Sequence, residues 1–232
     1  MQHFKTIFAD YKAKRAEEVL TDWGSTLLYR PLGLVLAHLL SATRVTPNAV
    51  TAVGAILLPC MVLAMLILHP ATALAVVLVL SLIYLILDCT DGTLARATGQ
   101  VSVAGHYWDL VTDLVYRGVL YSTVGYLADQ LVPWSFSLSQ AAAMAVAAWA
   151  ATIARLARYN LDRLAPTAAP GTTAEKFTVF SFLSGLDTLF PLLAAGAWAL
   201  DSLPGFVAWI VIYSLGDAVA SLLEAHGRLG NR

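Results

Sequence analysis

The stretch ATALAVVLVLSLIYLILDCTDGTLAR, residues 71–96, makes two demands that conflict. Ala71 to Leu87 gives seventeen residues without a charge, most of the roughly 20 apolar residues that a membrane-crossing helix needs. Asp88 and Asp91 follow at once, with Asp109 and Asp113 soon after. An Asp at the centre of a membrane helix costs about 2.5–3.5 kcal/mol even on lenient insertion scales, so four of them require compensation by water, a metal ion or another partner. The apolar run sets the fold, and the acids set the question of function.

The 232-residue chain is 59% hydrophobic and 12% charged, against about 25% charged in soluble domains. An all-α integral membrane protein is expected, with six transmembrane helices at about 47–69, 72–96, 104–128, 138–162, 177–200 and 205–225. Residues 1–22 are polar, with Phe4, Phe8 and Tyr11 at helical spacing, which suits an amphipathic helix on the membrane surface. Residues 25–42 are apolar but interrupted by Arg30, Pro31 and His38, which favours a helix lying along the interface. Residues 1–45 are therefore read as an amphipathic and interfacial segment, and 46–232 as one six-helix domain without linker or repeat. Thr46-Pro47-Asn48 reads as the start of the first span. Cys60 and Cys89 fall in apolar runs and read as small buried hydrophobes. No cleavable signal peptide and no nucleic-acid partner are expected.

Charge placement gives the orientation. Lys5, Lys12, Lys14, Arg15, Arg30 and Arg44 precede the first span, and Arg96 ends the second. Arg155, Arg158, Arg163 and Lys176 surround the loop after the fourth, and Arg228 and Arg232 lie in the tail. Arg117 alone falls toward the middle of a span, and the loops near His69, at 129–137 and at 201–204 carry no Lys or Arg. The positive-inside rule then puts both termini and the acids on the cytoplasmic side, as in the inner membrane of a prokaryote.

On helices, Asp88 and Asp91 are three apart and Asp109 and Asp113 four apart, so each pair shares a face. The short turn between Arg96 and Gly105 is expected to bring the two helices back antiparallel, so that the four carboxylates converge. One or two hard divalent cations, Mg2+ or Mn2+, would turn repelling acids into ligands. Gly92, Ala95 and Gly105 leave bare backbone beside them, and Arg96 adds a cation suited to phosphate oxygens. Together these describe a site for a metal-bridged diphosphate.

The run Asp88-x2-Asp91-Gly92-x2-Ala95-Arg96, eight residues, then Gly105-x3-Asp109-x3-Asp113 resembles the signature of the CDP-alcohol phosphotransferases at every fixed position, and TPNAVT at 46–51 resembles the segment that opens their first membrane helix. The resemblance implies that Asp88, Asp91 and Asp109 bind two metal ions, and that Asp113 completes the metal site and acts as the base for the acceptor hydroxyl. It implies a nucleotide pocket lined by Gly92, Ala95 and Arg96, with Asp91, Gly105, Asn48 and Thr51 near the diphosphate. The implied reaction is attack by an alcohol on the phosphorus nearest the alcohol part of a CDP-alcohol, with release of CMP. A homodimer is implied as well.

Two versions compete: CDP-diacylglycerol donating to a small polar acceptor, which is favoured, and a soluble CDP-alcohol donating to a lipid hydroxyl. Arg155-Leu-Ala-Arg158-Tyr-Asn160 resembles a run of bacterial phosphatidylserine synthases, although the continuation after Asp113 does not. Arg155, Arg158, Lys176 and, within its span, Arg117 are the candidate acceptor-binding cations. His106, Tyr107 and Trp108 read as interfacial residues at a helix start. A divalent-cation transporter is the rival from another class, but the acids do not continue into the opposite half of the second and third spans. A lipid-binding scaffold is a third reading.

Overall fold

The computed structural model describes residues 22–164 and 185–230, together with Phe8, Tyr11 and Val19. Among the described residues every regular element is helical. A π-helical turn, Ser25–Tyr29, runs into α1 (Arg30–Ser41); α2 is Pro47–Ile67, α3 Pro70–Thr98, α4 Val103–Leu131, α5 Gln140–Leu164, α6 Phe190–Ala199 and α7 Leu203–Gly230.

Local chemistry sets the ends of these helices. Thr46 Oγ1 accepts from the Ala49 N–H at 3.3 Å while Pro47 takes the first helical position. At the far end of α3, Gly99 turns to φ +68° and the Gln100 N–H reaches back to the Ala95 carbonyl at 2.9 Å. That is a Schellman stop, with glycine where a Cβ would be strained. Ser102 Oγ then accepts from the Gly105 N–H at 3.0 Å and starts α4. Asp129, near the end of α4, caps α5 by accepting from the Gln140 and Ala141 N–H groups at 2.8 and 2.9 Å.

Among the described residues four helices are long and apolar enough to cross a membrane: Pro47–Ile67, Pro70–Thr98, Gln140–Leu161 and Leu203–Gly230. They coincide with four of the six expected spans. The expected third, 104–128, is a continuous helix of 29 residues, but Asp109, Asp113, Arg117 and Asp129 make it too polar to qualify by composition. The expected fifth, 177–200, lies partly outside the described residues, and what is described of it includes the ten-residue α6. The expected surface helix in 1–22 lies outside them as well, except for single positions; of these, Tyr11 donates its hydroxyl to the Thr26 carbonyl at 3.2 Å.

The chain divides into two compact units, each made of non-contiguous pieces. The first comprises Met1–Leu63, Leu78–Asp113 and Glu175–Leu193. Its core includes Ala37, Val50 and Leu94, with Leu40 and Leu87 packed on them. Gly33 lets α1 approach α3 closely, since a Cβ there would lie 2.8 Å from Cys89 Cβ. Asp22 Oδ1 accepts from the Ser25 N–H at 3.1 Å and from the Thr188 hydroxyl at 2.8 Å, and a Cβ on Gly24 would collide with the Gly185 carbonyl. Burial, aided by Cys89 and Asp22, pushes the Tyr29 phenol up to about 12, so it stays protonated at physiological pH.

The second unit comprises Ala64–Val77, Leu114–Ala174 and Ala194–Arg232. There α5 packs on α7 through Ala150, Ala154 and Ala218, small residues of the kind that let membrane helices approach. Next to them the Arg158 guanidinium donates to both Asp217 oxygens at 2.5 and 3.0 Å and to Ser221 Oγ at 2.7 Å. Outward-facing Trp149, Ile212 and Leu223 are well exposed, as suits helices that meet lipid.

Candidate active site

A cavity of about 240 Å³ opens in the first unit, where the start of α2, the end of α3 and the start of α4 meet. Helical spacing decides which side chains reach it. From α2 come Asn48 and Thr51, one turn apart; from α3 come Asp91 and Gly92, then Ala95 and Arg96 a turn later; from α4 come Gly105 and Asp109, four apart. Each set lies on a single helix face.

Asp91 is 5% exposed and accepts from the Thr51 hydroxyl at 2.5 Å. The same hydroxyl lies 3.2 Å from the Pro47 carbonyl of its own helix, so the far shorter contact to a carboxylate is the stronger one. Arg96 and Asp109 are both electrostatic neighbours of Asp91. Gly105 holds the beginnings of α2 and α4 together: a Cβ there would press on Ser102 Oγ at 3.1 Å and on Asn48 Oδ1 at 3.3 Å. Gly92 and Ala95 leave the α3 wall low, and Arg96, exposed at its end, reaches Thr93 Oγ1 only weakly at 3.4 Å.

Of the expected site residues, Asn48, Thr51, Asp91, Gly92, Ala95, Arg96, Gly105 and Asp109 thus line one cavity. Asp88 and Asp113 do not line it, although both belong to the same unit, and one Asp113 oxygen is shielded from solvent. Among the described residues no three His, Cys, Asp or Glu side chains gather closely enough to hold a metal ion. Like charges do not draw together unaided. The donors that do face the cavity, two carboxylates with an amide and a hydroxyl oxygen, fit a hard divalent cation in kind, and a diphosphate could not lie against Asp91 and Asp109 without one. Arg117, Arg155 and Arg158 belong to the second unit, and Lys176 lies outside the described residues. Because Arg158 is held in a two-pronged pair by Asp217, it reaches another anion only by sharing or exchanging that partner.

Sequence reasoning missed Pro47, Gln100, Val101, Ser102 and His106 as cavity residues. His106, read as interfacial, lines the wall one residue after Gly105. The available signal for Gln100, Val101 and Ser102 was the brevity of the link between two walls of the site, whose middle borders the opening; no such signal pointed to Pro47 or His106.

The model of the family described as CDP-alcohol phosphatidyltransferase matches residues 44–216, well over half of the chain and the whole of the cavity. No curated protein matches the chain. With six of the eight signature positions on the walls of one cavity and the match running from before α2 into α7, the chain belongs to the CDP-alcohol phosphatidyltransferase family, enzymes that transfer a substituted phosphate from a CDP-alcohol.

Proposed function

We propose that the enzyme transfers a phosphatidyl group from CDP-diacylglycerol to a small acceptor alcohol and releases CMP, at the cytoplasmic face of the membrane. The observation that carries the reading is the single cavity lined by every signature position except Asp88 and Asp113. Its volume of about 240 Å³ is too small to enclose a whole CDP-diacylglycerol, which leaves the acyl chains to the lipid. The family uses a divalent metal. Asp91 and Asp109, with Asp88 and Asp113 from the same helices, are the residues that would hold Mg2+ or Mn2+, which when bound neutralises charge on the diphosphate and on departing CMP.

The chain's own residues do the rest. Thr51 orients the Asp91 carboxylate, and the low wall at Gly92, Ala95 and Gly105 admits the nucleotide close to backbone. Arg96 faces phosphate oxygens. The acceptor oxygen attacks the phosphorus on the lipid side while its proton passes to an Asp113 oxygen, and the bond from that phosphorus to the CMP phosphate oxygen breaks. The acceptor is read as an anionic alcohol from the sequence, which offers Arg155, Arg117 and Lys176 as cations, and Arg158 if it shares or exchanges Asp217. In the membrane, α4 and the 177–200 segment complete six spans with both termini cytoplasmic, a layout supported by the charge asymmetry.

The test is to incubate purified enzyme with labelled CDP-diacylglycerol or soluble CDP-alcohols and a panel of acceptors including serine, glycerol phosphate and inositol phosphate. CMP release is read with Mg2+, with Mn2+ and in excess chelator. Release from CDP-diacylglycerol with one anionic acceptor, abolished by chelator, is expected. Release only from a soluble CDP-alcohol with a lipid acceptor reverses the direction of transfer, and no release from any CDP-alcohol removes the reading.

A further inference from the structure

The cavity has two chemically unlike ends. At the inner end Asp91 is nearly buried, tied to Thr51 and close to Asp109. At the outer end the turn after α3 forms a lip of Gln100, Val101 and Ser102, all uncharged and exposed. A nucleoside diphosphate is two-ended in the same way. Its phosphates belong with the oxygen donors that carry cations, which leaves the base at the lip.

From this we infer that Gln100 holds the edge of the nucleotide base. The inference rests on the nucleotide reading above and adds to it a residue outside the signature. Three features single out Gln100 on the lip. Its backbone is pinned, because the N–H is bonded to the Ala95 carbonyl at 2.9 Å behind Gly99, so the side chain departs from a fixed point one turn beyond Arg96. The Val101 side chain has no polar atom, and the Ser102 hydroxyl, which accepts the Gly105 N–H that starts α4, has a single oxygen and cannot present a donor and an acceptor on separate atoms side by side. The Gln100 amide, in contrast, presents a donor and an acceptor side by side.

A pyrimidine edge presents the complementary pair. Cytosine offers its exocyclic amine beside a ring nitrogen acceptor, and uracil offers a carbonyl beside a ring N–H. Because an amide can turn over about its last torsion, Gln100 meets either pattern with two hydrogen bonds. It therefore contributes affinity for the base without choosing between cytosine and uracil.

That consequence makes the test specific. Full-length enzyme in detergent with Mg2+ is titrated with CDP, UDP and pyrophosphate, for wild type, Gln100→Met, which keeps the length, and Gln100→Ala. Two exposed hydrogen bonds correspond to about a tenfold loss, so CDP and UDP should both weaken by about that factor while pyrophosphate affinity stays unchanged. Unchanged CDP affinity in both variants overturns the inference, and so does an equal loss for pyrophosphate, which would make Gln100 a phosphate contact or a structural residue. A loss for CDP alone overturns the turning amide. If wild type binds CDP no better than pyrophosphate, the nucleotide reading itself fails, a result distinct from any change caused by the substitutions.

Discussion

Replacing Thr51 by Val keeps the shape of the side chain and removes one hydroxyl. That hydroxyl donates to Asp91 Oδ2 at 2.5 Å, and Asp91 is only 5% exposed, so water is poorly placed to replace it. A hydrogen bond to a charged group contributes about 1.5–3 kcal/mol. If the contact orients Asp91 for the metal-bridged diphosphate, kcat/KM for the CDP-alcohol should fall roughly 10- to 150-fold in Thr51→Val. CMP release measured across a Mg2+ titration should show a higher metal requirement too, because an unrestrained carboxylate binds metal less well. Thr51→Ser keeps the hydroxyl and should recover most of the activity. Wild-type kinetics in Thr51→Val would refute the reasoning, and so would a Thr51→Ser enzyme as impaired as Thr51→Val, since the branched methyl would then be what matters.

Among the acids, Asp88→Asn, Asp91→Asn and Asp109→Asn should weaken metal and nucleotide binding together. Asp113→Asn should keep more of that binding while turnover drops about 10²–10⁴-fold, as expected for a positioned base; equal binding losses in all four would make Asp113 a plain ligand. Asp217→Ala should lower thermal stability in detergent by about 1.5–3 kcal/mol, the scale of charge-assisted bonds, because Asp217 is buried under its pair with Arg158. A double-mutant cycle with Arg158→Met should show coupling, and simple additivity would count against the pair. Gly33→Ala should cost about 1–3 kcal/mol by overpacking α1 against Cys89; an unchanged melting temperature would show that α1 can shift away. Cysteine labelling should find residues 97–103 and 164–175 accessible from the cytoplasm and 130–137 from the opposite side, and the reverse pattern would invert the orientation.

The fold was legible where one physical signal dominated. The uncharged run from Ala71 and the Thr46-Pro47 start have no competing reading, and the helices found at Pro70–Thr98 and Pro47–Ile67 follow them closely. The third expected span was harder because Asp109, Asp113, Arg117 and Asp129 set its length against its composition, and length alone does not prove a crossing. In the site, helical spacing brought one acid of each expected pair, Asp91 and Asp109, to one cavity with Ala95 and Gly105, while their expected partners Asp88 and Asp113 do not line it. Periodicity fixes a face but not a depth. It could not show that Asp88 and Asp113 stand off the cavity wall, nor that Gln100 and His106 stand on it. Arg158 illustrates the same limit: its partner Asp217 lies 59 residues away, beyond the reach of any local pattern.

The family match begins at residue 44, yet the first unit begins well before it. Asp22 bridges to Thr188, Gly24 abuts Gly185, and Gly33 sits on Cys89 in the helix that carries the acids. An edge drawn from homology would therefore be a poor place to cut. Excising everything ahead of residue 44 would strip a wall from the helix that carries Asp88 and Asp91, and a chimera that borrows this leading segment from a relative would need matching small residues at both contacts. Tags and fusion partners belong ahead of Tyr11, where they leave its bond to Thr26, the Thr188 bridge and the glycine contacts untouched.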